Sequence, residues 1–139
     1  MAKGYLLDTN VVSETRRNRP DPGVLDFLSA ADSAGLFLSV LTLGELHKGI
    51  ETRRRSDPLS AERIEYWVNG VVTLFADRIL PIDSEIGRKW GELSAGRSLP
   101  VIETLIAATA IIRGLTLVTH NARDVEATGV TLLDPWRGK

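Results

Sequence analysis

Five side chains whose oxygens could bind a metal lie where a predicted strand ends or a predicted helix begins. Asp8 directly follows the apolar run YLL, and Asn121 and Asp124 follow the run LTLVTH. Glu45 and Glu103 lie in the first turns of two segments with helical patterning. If the strands are parallel, all of these positions can open onto the same edge of one sheet. The chain thus has a candidate acidic site built from distant parts of its sequence.

A divalent cation is the partner that such a site calls for, because carboxylates in a partly desolvated site repel one another. Glu103 also interrupts the otherwise apolar run PVIETLIAATAII, where an unpaired carboxylate would be costly to bury. The chain has no Cys, and His47 is two residues from Glu45, on a different helix face, so we do not expect thiolate or imidazole ligands. Oxygen ligands alone predict Mg²⁺ or Mn²⁺.

Each acid also has a purely structural interpretation. Asp8 could cap the helix that follows it, and Glu45 could close a capping box with Thr42. Glu103 could be a favourable charge near a helix N-terminus, and Asp124 could be a turn residue. The residues alone leave these alternatives open.

Strands and helices that alternate along the chain would position these side chains. Short apolar or β-branched runs predict five strands. They are GYLLD, starting near Lys3, then GLFLSV, RILPID, LTLVTH and VTLLDPW. This alternation predicts an α/β sandwich with a mostly parallel sheet, in which LTLVTH is buried enough to be central.

Helical patterning fills the segments between the strands. The predicted helices are TNVVSETRR, a segment with Asp21 as N-cap and Pro22 at the first position, LTLGELHKGIETRR opened by Thr42, residues 59–76, SEIGRKWGELSAGR capped by Ser84, and LPVIETLIAATAIIRG ended by Gly114. In the second helix, Val24, Leu25, Phe27 and Leu28 form the predicted apolar face, and NARDVEATG is predicted to be a turn or short helix.

Composition limits the function classes. A chain of 139 residues with 43% hydrophobic and 25% charged residues fits one soluble globular domain. No stretch is long enough for a membrane span or a signal peptide, so we expect a cytoplasmic protein. The net charge of −1 argues against a general polyanion binder. Local basic runs remain at residues 16–19 and 53–55, whose plain interpretation is solvated surface.

Four blocks of the sequence, in order, resemble PIN-domain ribonucleases, and most closely the VapC toxins of VapBC toxin–antitoxin pairs and their FitB-like relatives. The blocks are YLLDTNVVSE, LSVLTLGELHKGI, PVIETLIAATAIIRGLTLVTHNARDV and LLDPW. The resemblance spans nearly the whole chain. It implies a single PIN domain over residues 1–139, with a PIN-like α/β/α sandwich around a mostly parallel sheet.

The resemblance implies an endoribonuclease that depends on Mg²⁺ or Mn²⁺ and hydrolyses RNA phosphodiester bonds. By motif position, Asp8, Glu45 and Glu103 are the first three catalytic acids. Asp124 is taken as the fourth, with Asn121 as the alternative at that position. Asp8, Glu103 and Asp124 would then hold the metal, while Glu45 would orient the attacking water or bind a second metal.

Further residues and partners follow from the same resemblance. Asn10, Thr119 and Asn121 would support the acids, and Arg16, Arg17 and Arg53 would meet the RNA backbone. The expected partners are an RNA substrate and a VapB-type antitoxin whose C-terminal segment lies across the active-site groove. We also expect a homodimer, a heterotetramer or larger assembly with the antitoxin, operator DNA bound only through the antitoxin, and no membrane partner.

Position 103 departs from the family, which nearly always has Asp there. Glu keeps the charge but moves the carboxylate by roughly one C–C bond, about 1.5 Å, and a misplacement near 1 Å can cost on the order of a hundredfold in rate. We therefore expect weakened cleavage. The alternative is an impaired PIN domain that binds RNA or antitoxin without cutting, which Glu103 together with Asn121 motivates.

A phosphotransfer enzyme is a further alternative, since such enzymes also carry an Asp after the first strand. The haloacid-dehalogenase type needs a second Asp two residues later, where this chain has Asn10. A receiver-type domain needs an acidic pair before its Asp and a suitably placed Lys, and neither is visible.

Overall fold

The computed structural model describes residues 4–137 and has a five-stranded sheet at its centre. The strands are β1 (Tyr5–Leu7), β2 (Leu36–Ser39), β3 (Ile79–Leu80), β4 (Thr116–Val118) and β5 (Leu132–Leu133). They lie in the order β3-β2-β1-β4-β5, and all four neighbouring pairs are parallel. The predicted parallel α/β sheet and the interior position of β4 are confirmed. The strands are shorter than the predicted runs, and Lys3 lies outside the described residues.

Six α-helices connect the strands within the described part of the chain. They are α1 (Thr9–Glu14), α2 (Pro22–Ala30), α3 (Val40–Ser56), α4 (Pro58–Leu74), α5 (Ser84–Ser94) and α6 (Val101–Arg113). Short 3₁₀ turns cover Ser33–Gly35, Ala122–Asp124 and Glu126–Thr128. None of these helices is long and apolar enough to cross a membrane.

Helices cover both faces of the sheet because successive strand residues point to opposite sides. Leu7 and Val118 pack into one core with buried residues of α1, α2, α3 and α4. Leu6 and Leu117 pack into the second core, with Ile106 and other residues of α6. Helix α5 packs against α6. This arrangement is the predicted three-layer sandwich.

Two predicted helix starts are wrong by a residue or two. Helix α3 begins at Val40 because the Ser39 hydroxyl, at the end of β2, accepts the backbone N–H of Leu41 at 3.0 Å. Thr42 therefore lies inside the helix and does not open it. Helix α5 is capped by Asp83 and not by Ser84, since an oxygen of Asp83 accepts the N–H of Ile86 at 2.9 Å.

Other helix predictions are partly corrected. Helix α1 ends at Glu14, three residues before the predicted end, and α4 covers 58–74 in place of 59–76. Asp21 and Pro22 begin α2 as predicted. Leu25 is 43% exposed, because it lies about 100° around the helix from the buried Val24. Helix α6 ends at Gly114 as predicted, in the left-handed conformation with φ of 67°.

Strand order reverses at β1, which pairs with β2 on one side and β4 on the other. In parallel α/β sheets, ligands bind beyond the carboxyl ends of the strands at such a reversal point. Asp8 is the first residue after β1 and Thr119 is the first after β4. The fold therefore positions both residues where a ligand site is expected.

Candidate active site

Asp8 lies at the junction of β1 and α1 and is 7% exposed. Its backbone N–H extends the sheet by donating to the carbonyl of Val118 at 2.9 Å. One carboxylate oxygen caps α1 by accepting the N–H of Thr9 at 2.8 Å. The structural interpretation of Asp8 as an N-cap is thus confirmed, but it uses only one of the two oxygens.

The second oxygen of Asp8 accepts hydrogen bonds from two of the predicted supporting residues. The Thr119 hydroxyl donates to Oδ2 at 2.7 Å, and Nδ2 of Asn10 donates to it at 3.3 Å. The Thr119 oxygen also accepts the backbone N–H of Asn121 at 3.0 Å. Asn121 is thus connected to Asp8 through a single hydroxyl group.

Glu45 lies in the second turn of α3 and is held by Thr9, a residue for which the sequence predicted no role. The hydroxyl of Thr9 donates to Oε1 of Glu45 at 2.5 Å, and the hydroxyl oxygens of Thr9 and Thr42 lie 3.1 Å apart. The proposed capping box of Thr42 with Glu45 is wrong, because both residues lie within the helix. The sequence signal that could have marked Thr9 as a site residue is its position directly after Asp8, at the start of α1.

Glu103 lies in the first turn of α6 and is half-buried. The N-cap of this helix, Pro100, makes no side-chain capping hydrogen bond, so the carboxylate is the negative charge near this helix start. The structural interpretation of Glu103 is therefore compatible with the functional one. The negative charge of Glu103 also helps to raise the pKa of Asp8.

The pKa of Asp8 is raised above its ordinary value of 3.8, chiefly because burial penalises the charged form. The nearby carboxylates of Glu45 and Glu103 raise this pKa further. The hydrogen bonds from Thr119 and the Thr9 N–H oppose the rise without cancelling it. Three of the predicted acids are therefore brought together closely enough for their charges to interact.

Asp124 lies apart from these contacts, in the exposed 3₁₀ turn after β4. Its backbone N–H donates to the carbonyl of Asn121 at 3.1 Å. Asn121 is also exposed, and its backbone makes the hydrogen bond to Thr119. Both candidates for the fourth position thus lie on the loop that follows Thr119, and the choice between them stays a prediction.

The three predicted RNA-binding arginines line one groove beside the acids. Arg16, Arg17 and Arg53 border a cavity of about 350 Å³ together with Thr9 and Glu45. All three arginines are exposed. Because Arg53 comes from α3 and the other two follow α1, only the fold brings them together.

The donor set fits a hard divalent cation that keeps part of its water shell. Asp8, Glu45 and Glu103 offer carboxylate oxygens, and a cation would relieve the repulsion that helps to raise the pKa of Asp8. Among residues 4–137, no three His, Cys, Asp or Glu side chains stand as a group that could hold a metal ion. Mg²⁺ is commonly bound by one or two carboxylates and several waters, so it does not require such a group.

The fold and the site define an α/β protein with a buried carboxylate at the reversal point of a parallel sheet and two further acids beside it. Comparison with known families gives a match to the PIN domain over residues 5–129. The chain belongs to the PIN-domain family, as the resemblance in its sequence predicted.

Individual relatives agree with this assignment. The chain is 34% identical to the plasmid stability protein StbB of Pseudomonas syringae pv. tomato, over 94% of this chain and 97% of the relative. It is 32% identical to the VapC ribonuclease Y4jK of Sinorhizobium fredii, over 94% and 96%. The crystal structure of FitAcB from Neisseria gonorrhoeae has a chain that matches with a TM-score of 0.80 and 30% identity, covering 96% of this chain and 99% of that one.

Proposed function

We propose that this protein is the toxin of a type II toxin–antitoxin pair and acts as an endoribonuclease dependent on Mg²⁺ or Mn²⁺. The observation that carries the proposal is the buried Asp8 at the reversal point of the sheet, with its pKa raised by burial and by Glu45 and Glu103. Its support is the VapC resemblance and the similarity to a VapC ribonuclease. The proposal treats residues 1–139 as a single PIN domain that acts in the cytoplasm.

Asp8, Glu103 and Asp124 would hold the cation, directly or through waters, with Asn121 as the alternative to Asp124. When bound, the cation lowers the pKa of coordinated water and offsets negative charge on the scissile phosphate. Asn10 and Thr119 fix the orientation of the Asp8 carboxylate through their hydrogen bonds to Oδ2. The Asp8 side chain is therefore held in one orientation in the site.

Glu45 would orient the attacking water and accept its proton. Its carboxylate is held through Oε1 by the Thr9 hydroxyl, which leaves Oε2 for that role. Thr9 uses its backbone N–H for Asp8 and its side chain for Glu45, so one residue fixes the relative position of both acids. This coupling suits a reaction in which two carboxylates must act on the same phosphate.

Arg16, Arg17 and Arg53 would bind RNA phosphates in the groove that Glu45 also borders. A guanidinium group can donate two parallel hydrogen bonds to a phosphate, and these bonds are strong because both partners are charged. A local basic groove of this kind can bind RNA although the net charge of the chain is −1. The substrate would be unpaired RNA, whose bases can be turned out of a stack.

A VapB-type antitoxin would be the partner protein, and an apolar groove offers it a binding surface. This groove has a volume of about 620 Å³ and lies between α1, α2 and α4. Tyr66 and Leu74 border it and are 83% and 67% exposed. We expect an antitoxin segment to cover them in a homodimer-based complex, with operator DNA bound through the antitoxin.

The decisive experiment is incubation of the purified protein with total RNA and Mg²⁺ or Mn²⁺, followed by mapping of the new RNA ends. Cleavage is expected for the wild type and is expected to be lost in Asp8→Asn. Persistent cleavage by Asp8→Asn would refute the site. No cleavage by the wild type above this variant would favour the alternative, a PIN domain that binds without cutting. Comparing Asp124→Asn with Asn121→Ala under the same conditions would identify the fourth position.

A further inference from the structure

A third cavity shares Asn10 and Arg17 with the candidate active site, and its other lining residues have no role in the proposed function. It has a volume of about 540 Å³, within the range of small-molecule sites. Its lining includes Asn10, Glu14, Arg17, Arg19, His120 and Trp136. We call it the His–Trp cavity.

Asn10 connects this cavity to the candidate catalytic acid. Its amide nitrogen donates to Oδ2 of Asp8 at 3.3 Å, and its amide oxygen accepts the backbone N–H of His120 at 3.4 Å. One side chain therefore contacts both Asp8 and the backbone of a residue that lines the cavity. If the scissile phosphate lies at Asp8, the adjacent nucleotide would be within reach of the His–Trp cavity.

His120 and Trp136 form a stacked pair that borders the cavity. Their ring centroids are 4.3 Å apart, and the ring planes differ by 19°. Asp134 holds both residues, because its carboxylate lies 3.2 Å from Nδ1 of His120 and accepts the backbone N–H of Trp136 at 3.0 Å. The side chain of His120 remains 41% exposed, so the pair is fixed in position and still open to a ligand.

The segment that carries Trp136 is held against the start of α2. The backbone N–H of Arg137 donates to Oδ2 of Asp21 at 2.9 Å, and the Arg137 side chain contacts Asp26. Gly23 allows this close approach, since a Cβ there would lie 2.1 Å from the carbonyl oxygen of Pro135. The aromatic pair is therefore preorganised by the fold.

Two exposed arginines border the cavity, beside the acids Glu14 and Asp21. Arg17 and Arg19 are exposed at its border and can bind phosphate groups. The buried carboxylate of Glu14 is already engaged by the Asp21 N–H at 2.8 Å and by Arg17 at 3.4 Å. Aromatic rings next to exposed cations are the combination by which proteins bind unpaired nucleic acid, the rings stacking on bases and the cations binding the backbone.

We propose that the His–Trp cavity binds the base of an unpaired RNA nucleotide next to the scissile phosphate, by stacking on the His120–Trp136 pair, while Arg17 and Arg19 bind the flanking phosphates. This inference rests on the proposed function, because it takes Asp8 as the cleavage site. It adds a base-binding subsite to that site. Because any base has a stacking face, the subsite would favour unpaired RNA without requiring one sequence.

The test compares two fluorescein-labelled probes of equal charge, an adenylate 12-mer and a 12-mer of abasic ribose phosphate. Binding is measured by fluorescence anisotropy in the Asp8→Asn background with EDTA, so that no cleavage competes. We expect the adenylate probe to bind roughly 5- to 150-fold more tightly, the range given by stacking of one base. His120→Ala and Trp136→Ala should remove most of this preference, and Trp136→Phe should keep part of it.

His47→Ala is the matched control, because His47 is exposed on α3 and is the other histidine of the chain. It should leave the preference unchanged. The melting temperature of each variant reports on folding, which matters for Trp136 because it packs against the core. Equal affinity for the two probes, or a preference unaffected by His120→Ala and Trp136→Phe together, would overturn the inference. If the wild type still cleaves total RNA in that case, the proposed function stands alone; if it neither cleaves nor binds, both are wrong.

Discussion

The hydroxyl of Thr119 donates a 2.7 Å hydrogen bond to Oδ2 of Asp8, although the two residues are 111 positions apart in the sequence. They meet because each is the first residue after one of two neighbouring parallel strands. Thr119 is 1% exposed, and its oxygen also accepts the N–H of Asn121 at 3.0 Å. One buried hydroxyl thus connects the first acid to the loop that carries both candidates for the fourth position.

Replacing Thr119 by Val keeps the shape of the side chain and removes this hydroxyl. Oδ2 of Asp8 then loses a donor and the Asn121 N–H loses its acceptor, which should lower the free energy of unfolding by roughly 1–3 kcal/mol. Cleavage should fall by about 10- to 100-fold, because the acid is no longer held in one position. Urea unfolding and kcat/KM on a mapped RNA substrate measure the two effects. Thr119→Ser should restore both, and equal activity of the Val variant would contradict this role.

The raised pKa of Asp8 predicts a pH-dependent cost in the metal-free protein. A folded-state pKa above the unfolded one means that the native state binds the proton more tightly. Stability must therefore fall as pH rises from the ordinary value of 3.8 through the raised pKa, and the full cost is present above it. In EDTA, the melting temperature of Asp8→Asn minus that of the wild type should grow by a few degrees between pH 4 and pH 7.

At pH 7, Mg²⁺ or Mn²⁺ should reverse the difference in melting temperature between Asp8→Asn and the wild type. A cation present at a hundred times its Kd would stabilise the wild type by about 2.7 kcal/mol, whereas Asp8→Asn would gain much less. Melting curves with and without metal provide the measurement. A difference that does not change with pH in EDTA would show that the Asp8 carboxylate carries no such cost.

The parts of this site that could be predicted from the sequence are those fixed by chain direction. Asp8 follows an apolar run, and the parallel sheet brings the ends of neighbouring strands together. Thr119 lies within the predicted strand LTLVTH and is singled out only by the family resemblance. The sequence correctly places Glu45 in an early helical turn but predicts the wrong capping partner, since the chain enters α3 two residues before Thr42. Helix starts shift by one or two residues when a neighbouring side chain, here Ser39, supplies the cap.

Contacts between side chains distant in the sequence could not be predicted in the same way. Thr9 reaches Glu45 across 36 positions, and no local pattern specifies that hydrogen bond. The stacking of His120 on Trp136 also depends on how the last described residues pack against α2. Such pairs follow from tertiary packing, which periodicity and capping rules do not encode.

Glu103→Asp is predicted to increase cleavage. Glu103 lies in the first turn of α6, and its longer side chain would move the carboxylate relative to the Asp that the family resemblance implies at this position. We expect a gain of about 10- to 100-fold in kcat/KM, since rates are sensitive to displacements near 1 Å. Single-turnover cleavage at saturating Mg²⁺ separates this effect from metal binding. Glu103→Gln, which removes the charge, should be inactive, and an Asp variant no faster than the wild type would refute this explanation.

Arg53→Ala is predicted to weaken RNA binding and reduce its salt dependence. Each phosphate contact on a single strand contributes about 0.7 to the slope of log K against log salt concentration. The loss of Arg53 from the groove beside Glu45 should therefore reduce the slope by about that amount. Anisotropy titrations over a range of salt concentrations give the slope. Arg88→Ala, an exposed arginine on α5, is the matched control. Equal slopes for the two variants would show that Arg53 does not contact an RNA phosphate.

Gly23→Ala and Gly91→Ala are predicted to change stability in opposite directions. A Cβ at Gly23 would lie 2.1 Å from the carbonyl oxygen of Pro135 and 2.9 Å from the nitrogen of Arg137, so backbone must move. We expect a loss of roughly 1–3 kcal/mol in the free energy of unfolding, as for other overpacked sites. At Gly91, in α5, a Cβ meets nothing within 4 Å, and Ala should stabilise the helix by roughly 0.5–1 kcal/mol.

Urea unfolding of both variants against the wild type measures these changes. The Gly23 variant should also lose part of the preference for the adenylate probe, because the displaced segment carries Trp136, while Gly91→Ala should retain it. If Gly23→Ala were as stable as the wild type, the close packing of the C-terminal segment on α2 would be wrong. The preorganisation of the aromatic pair by that packing would then be wrong as well.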